Sequence, residues 1–324
     1  MIQCCLPLVL AFVLTTLAAL APAQQPGKVP VIGVLMVSAG PDDPVVEAFR
    51  KGLRERGYVE GRNIRIEHRS AQGQIDQLPH LAEELVRLRA DIIVSAAEPA
   101  LRAVKQATRT IPVVMILHDY DPVALGLIDS FSSPGGNFTG ISSLQFELIG
   151  KRLELLKETL RGLSRVAVLF DEFSRGQLEQ IASPARALGI ALKFVELRAP
   201  RDYRQAFATA RQAKAGAAMV LFSPVFYVDR ERIVAEALRY RLPTMFQDHH
   251  YVEAGGLMSY GPSVPETFER AAYFAERLLK GAKPRDLPVE QPLRFVLKIN
   301  SKTAKAIGVT WPESILIRAD EVIE

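Results

Sequence analysis

A chain of 324 residues with 48% hydrophobic and 23% charged residues has the composition of an ordered globular protein of two domains, which excludes a disordered or collagen-like chain. Its formal net charge of +4 comes from 40 basic and 36 acidic residues scattered along the chain without a basic block, which argues against nucleic acid as a partner. Both cysteines, Cys4 and Cys5, stand at the very start, so the rest of the chain has no thiol nucleophile, thiolate metal site or disulfide.

The first elements differ from everything after them. Residues 6–20 are an apolar run without a charge, followed by Ala21-Pro22-Ala23, the small-residue pattern of a secretory cleavage site. The run is shorter than the ~20 residues a membrane helix needs. Met1-Ile2-Gln3 lacks the usual Lys or Arg, and Cys4 and Cys5 sit at the wrong end of the run for a lipoprotein. Residues 1–23 are therefore read as a signal peptide, and the mature, thiol-free protein is expected in the periplasm.

From residue 29 the pattern alternates strand and helix. VPVIGVLM is a continuous apolar strand, and residues 44–57 carry Val45, Phe49 and Leu53 at helical spacing before Gly57. NIRIEHRS alternates as a strand, residues 74–89 place Leu78, Leu81, Leu85 and Leu88 on one helix face, and ADIIVSA is a buried strand. A third helix over 99–108 leads through Ile111-Pro112 into VVMILHD. Residues 131–143, FSSPGGNFTGISS, are read as a turn or crossover, because Pro134 lacks a backbone donor and Gly135 and Gly136 favour angles other residues resist. Beyond it the same rhythm returns: RVAVLFD, a helix ending at Leu188-Gly189, ALKFVEL, a helix DYRQAFATARQAK, AAMVLFS, a helix over 228–240, and Leu242-Pro243 into TMFQD. Each half thus reads as four strands joined by three helices, an α/β pattern of parallel sheets covered on both faces. Residues 264–281 are an amphipathic helix, and RFVLKIN, SKTAKAIG and SILIRADEVI are expected to finish a sheet. The chain then passes between two Rossmann-like lobes three times, dividing as 29–139 plus 262–288 and 140–261 plus 289–324, with a three-strand hinge.

Several of these segments are familiar in order and wording. DPVALGLIDSFSSPGGNFTGISSL, followed by GKRLELLKETL, VEAGGLMSYGP and KPRDLPVEQP, resembles the family of periplasmic substrate-binding proteins of ABC transporters that includes tryptophan-binding receptors. The resemblance covers essentially everything from residue 31 onward. It implies a type I periplasmic binding protein-like fold whose lobes close on a ligand, an inner-membrane permease and its ATPase as partners, and a receptor that releases its ligand unchanged. No cofactor is expected, and a monomer is.

In open parallel sheets the crevice lies beyond the carboxyl ends of the strands, which selects the loops without reference to any family. From the first half these carry Ser38, then Ser95, Ala96 and Glu98, then Asp119. From the second they carry Asp171 and Phe173, then Ser223 and Phe226, then Gln247 and Asp248, with Tyr260 near the hinge. Small residues before Pro99 let a ligand reach the amides at a helix start, which suits a carboxylate. Glu98, where the resembled family has a small residue or threonine, has two readings: it meets a ligand amine or caps its helix. Asp119, Asp171 and Asp248 suit an ammonium group, and Asp121-Pro122 reads equally as a turn. Six aromatics on these loops, Tyr120, Phe173, Phe226, Tyr227, Tyr251 and Tyr260, suit a flat or partly apolar ligand such as an aromatic amino acid.

Catalytic readings have less behind them. There is no G-x-S-x-G elbow for a secreted hydrolase, and Pro134-Gly135-Gly136 lacks the Lys of a phosphate loop. No metal site is expected at Asp248-His249-His250, on the reading that adjacent histidines in an extended segment point apart. A ligand-binding sensor of the same fold is the other alternative, although regulators of that kind carry an N-terminal helix-turn-helix and the first strand here follows the leader directly.

Overall fold

The computed structural model describes residues 28–118, 120–143, 146–292 and 294–324, and the side chains of Phe146 and Glu147 are not among those described. The expected signal peptide and Asp119 lie outside the described residues.

The first unit runs β1 (Val31–Met36), α1 (Pro44–Glu55), β2 (Arg65–Ser70), α2 (Leu78–Arg87), β3 (Ile92–Ala96), α3 (Glu98–Ala107), β4 (Val113–His118) and β5 (Phe138–Ser143). Its five strands are all parallel in the order β2-β1-β3-β4-β5. Alternate residues of β1 feed two cores: Ile32, Val34 and Met36 pack with Val45, Phe49 and Leu53 of α1, while Val31 and Leu35 pack with Leu85 of α2 and Leu101 of α3. A strand buried on both faces must be apolar throughout, which is why VIGVLM has no polar residue. Asp43 sets the start of α1, its carboxylate accepting from the Val45 amide at 3.1 Å ahead of Pro44.

The second unit runs α4 (Phe146–Thr159), β6 (Arg165–Phe170), α5 (Leu178–Ala187), β7 (Ala191–Glu196), α6 (Tyr203–Gln212), β8 (Ala217–Val220), α7 (Pro224–Val228), α8 (Arg230–Arg239), β9 (Thr244–Phe246), α9 (His249–Glu253) and β10 (Met258–Pro262). Then come α10 (Val264–Leu279), β11 (Phe295–Asn300), α11 (Ser301–Ile307), α12 (Glu313–Arg318) and β12 (Glu321–Ile323). The second sheet has the order β12-β11-β10-β9-β8-β6-β7. Its part β7-β6-β8-β9-β10 repeats the first sheet strand for strand, with β11 added antiparallel to β10.

Two expectations need correction here. Residues 131–143 are not wholly a crossover: 131–137 are irregular, but Phe138–Ser143 is a fully buried strand in register with β4. Each duplicated unit therefore has five parallel strands, not four. The strand was hidden by Gly140, which sits at φ +131° with the β4 backbone so close that a Cβ would meet the Met115 carbonyl at 2.2 Å.

Each fifth strand is followed by a helix that covers the other sheet. After β5, α4 places Leu153 and Leu156 in a core of the second sheet, whereas after β10, α10 places Phe268, Ala271 and Phe274 against α1 on the first. A third passage runs alongside β5, where the Ser142 amide donates to the Glu290 carbonyl at 2.9 Å, before β11 pairs with β10. The expected divisions at 139/140 and 288/289 thus cut through β5 and the strip beside it.

Candidate ligand-binding crevice

The carboxyl ends of the two sheets face each other, and the lobes touch there. The Tyr120 hydroxyl, beyond β4, donates to the Phe173 carbonyl beyond β6, and the His118 ring stands edge-on to Phe222 with centroids 6.2 Å apart.

On the second-lobe side the acidic residue nearest the sheet is fully engaged. Asp171 is buried; its Oδ1 accepts from the Phe173 and Ser174 amides at 3.1 Å and from Ser174 Oγ at 3.0 Å. Its Oδ2 accepts from Ser223 Oγ at 2.6 Å and lies 3.5 Å from Arg201 Nη2. Ser223 in turn caps α7, accepting from the Val225 and Phe226 amides. Phe226 points into the core behind, edge-on to Tyr203 at 6.1 Å. Gln247 is satisfied when its amide nitrogen donates to the Val220 carbonyl at 2.6 Å. Tyr260 tilts against Phe295 at 6.2 Å, and its carbonyl accepts from Arg152 Nε at 2.7 Å.

Asp248 is different. It caps α9, with Oδ1 accepting from the His250 amide at 2.8 Å and bonded to His250 Nδ1 at 2.7 Å, while Oδ2 has no hydrogen bond among the described residues. Burial pushes its carboxyl up, but the His250 hydrogen bond and the neighbouring histidines outweigh this and hold it below the usual carboxylate range. Burial likewise disfavours the charged form of His250, yet the bond to Asp248 raises its pKa above the ordinary imidazole value.

Contrary to expectation, the fold does not set His249 and His250 on opposite sides of an extended segment. Residues 249–250 are the first turn of a helix, where successive side chains are about 100° apart and not opposed, and the two rings lie 4.1 Å apart. Ligand atoms of Asp248, His249 and His250 all fall within 4.8 Å of one another, two of them already bonded to each other.

Besides Arg201 Nε, two atoms in the crevice are buried without a partner among the described residues. His118 Nδ1 lies 2.6 Å from Ser143 Oγ, but its Nε2 has no partner; Tyr227, one turn into α7, leaves its hydroxyl unpaired while its ring stands edge-on to His250 at 5.5 Å. Desolvation pulls the His118 pKa down to about 4, with Asp248 opposing, so the ring is neutral at physiological pH. Burial, then the charges of Asp248 and Asp43, keep the Tyr227 phenol protonated. Tyr227 reaches Asp248 through His250, and the His118 ring reaches across the lobes to Phe222.

On the first-lobe side, Ser38 is half-buried in the loop after β1, and Ser95 directs its hydroxyl back to the Leu35 carbonyl at 3.1 Å. Ala96 ends β3, and Ala97 adopts φ +71°, a conformation unusual for a residue with a Cβ. That turn starts α3 without any side-chain cap, so its first amides are left at the crevice end of the sheet. Glu98 makes no side-chain capping hydrogen bond and instead pairs with Arg102 on its own helix, Arg102 Nε donating at 2.7 Å. Asp121 closes a turn, accepting from the Val123 amide at 2.8 Å.

Neither His118 nor Arg152 is singled out by the sequence as a site residue, His250 is weighed there only for a metal, and Tyr227 enters only among the six loop aromatics while Phe226 is taken as a contact. One signal was available for His118: it closes a strand otherwise made only of apolar residues. For the aromatic pair none was, because adjacent residues on a one-turn helix give no periodicity to read.

Two lobes of repeated parallel topology, exchanging helices and facing each other across polar strand ends, define the type I class of binding proteins. The chain matches the model of the ABC transporter substrate binding protein family over residues 29–323, and it belongs to that family. A relative described as a tyrosine-binding protein, from Clostridioides difficile (strain R20291), is 26% identical over 285 residues, covering 86% of this chain and 81% of the relative. Among solved structures, a conserved domain protein from Vibrio cholerae superposes with a TM-score of 0.85 at 26% identity, covering 91% of this chain and 100% of its own. An ABC domain from Streptococcus pneumoniae in complex with L-Trp gives 0.83 at 26% identity, with 91% and 99% covered.

Proposed function

We propose that this protein is the extracytoplasmic receptor of an ABC importer, and that it captures a small amino acid-like molecule between its lobes and hands it unchanged to a membrane permease. The observation that carries the ligand class is that, among the described residues, His118 Nε2 from one lobe and the Tyr227 hydroxyl from the other are buried without a partner and Asp248 Oδ2 has no hydrogen bond. A buried polar group left unsatisfied costs about 1–3 kcal/mol, so these atoms are positions for ligand atoms. Asp248 Oδ2 receives an ammonium group, and the uncapped start of α3 receives a carboxylate. The relatives described as binding tyrosine and L-Trp support an aromatic side chain. The lobes divide near residues 143, 262 and 290, and the leader of residues 1–23 directs export. Thermal-shift screening of the refolded mature chain against amino acids and small organic acids tests this reading. Stabilisation by aromatic amino acids, and none by the same molecules lacking the amino group, is the expected result; selective stabilisation by amine-free acids contradicts it.

A further inference from the structure

A second concave site lies on the first lobe, away from the crevice. It is a cavity of about 980 Å³ between α3, the loop 125–137 and residues 283–285. Such a volume is at the upper end for small-molecule sites. Its walls carry five cations against two carboxylates. Arg102 pairs with Glu98, and Lys105 donates to the Leu125 carbonyl at 2.9 Å. The other carboxylate, Asp129, is folded against Gly135, where a Cβ would meet its Oδ2 at 1.9 Å, and it forms no ion pair with any of the five among the described residues. Arg109 and Lys283 have no ion pair among the described residues, and Arg285 has only Asp286 at 3.9 Å. Most other exposed cations on this lobe, such as Lys28, Lys51 and Arg54, are paired.

We propose that this cavity binds a small, multiply charged anion of the polyphosphate or polycarboxylate class. Clustered like charges in a concavity raise the local potential and concentrate counter-ions, and guanidinium groups suit planar or tetrahedral oxyanions. The concave shape favours a small anion over the flat face of a protein. Its walls are also the two chain segments that flank β5: the Val289 amide donates to the Phe131 carbonyl at 2.7 Å, and Thr139 Oγ1 donates to the Leu287 carbonyl at 2.7 Å. An anion bridging α3 to residues 283–285 therefore stiffens the passages between lobes. This site is independent of what the crevice holds. Inorganic pyrophosphate titrated into the full mature chain by calorimetry at low ionic strength is the test. One saturable site is expected, weakened at least tenfold in the double variant R109E/K283E, unchanged in the charge-matched control R204E/R211E on α6, and unchanged in Tyr227→Phe. Absence of saturable binding, or equal loss in both double variants, overturns the proposal.

Discussion

The two rims of the crevice are built from the same strand order but use their polar residues differently. On the second-lobe rim Asp171, Ser174, Ser223, Gln177 and Gln247 bond to one another and to nearby backbone, fixing three loops in one shape. On the first-lobe rim His118 Nε2 has no partner among the described residues, and across from it the Tyr227 hydroxyl, Asp248 Oδ2 and Arg201 Nε have none there either. Residue type alone does not separate these roles. A carboxylate that ends a strand belongs to the fold when its lone pairs are filled and is available to a ligand when they are not.

Breaking the engaged rim should have the largest effect. Asp171→Ala leaves Ser223, Ser174, two amides and Arg201 without their acceptor, and should cost about 4 kcal/mol of stability in urea unfolding. A loss of ligand affinity with unchanged stability would assign Asp171 to the ligand instead. Gly140→Ala, which drives a methyl into the Met115 carbonyl at a positive φ, should cost about 3 kcal/mol. A neutral result in the same unfolding measurement would show that β5 is not held where it lies.

The open rim should reveal itself through pH. A histidine held below its unfolded value of 6.5 contributes stability that is complete above that pH and is lost as the pH falls through its folded value of about 4. The loss is at most about 3–4 kcal/mol, from 1.36 kcal/mol per pH unit over the interval between 6.5 and about 4. His118→Gln should flatten this part of the stability profile between pH 6.5 and 4, and an unaltered slope would mean that His118 is not buried neutral. The raised pKa of His250 works the other way, its contribution fading as pH rises through the folded value. The smallest effect is expected from Tyr227→Phe: no change in stability and a loss of about 1 kcal/mol in ligand binding by calorimetry, the scale of one hydrogen bond. Equal affinity would remove the hydroxyl from the site.

Much of the fold was legible because buried parallel strands must be apolar and the helices between them must be amphipathic, so the duplicated rhythm from VIGVLM to TMFQ could be read directly. Strand β5 was not, because Pro134-Gly135-Gly136 drew the whole stretch into a turn and Gly140 gave no strand signal of its own. The loops of the crevice were legible from topology, since strand ends fix them. The roles within those loops were not: Asp171, Ser223 and Gln247 each name a polar atom, but only the three-dimensional partners show that those atoms are taken. Phe226 and Tyr227 differ by a single step on a one-turn helix, and that step decides which ring enters the core.

The most direct measurement is a crystal structure of the mature chain with a bound aromatic amino acid. The account predicts ligand polar atoms within about 3 Å of both His118 Nε2 and the Tyr227 hydroxyl, with the ammonium group on Asp248 Oδ2 and the Asp171–Ser223 bond intact. A ligand held by one lobe alone, or one that displaces Ser223 from Asp171 while leaving His118 and Tyr227 unpaired, would contradict it.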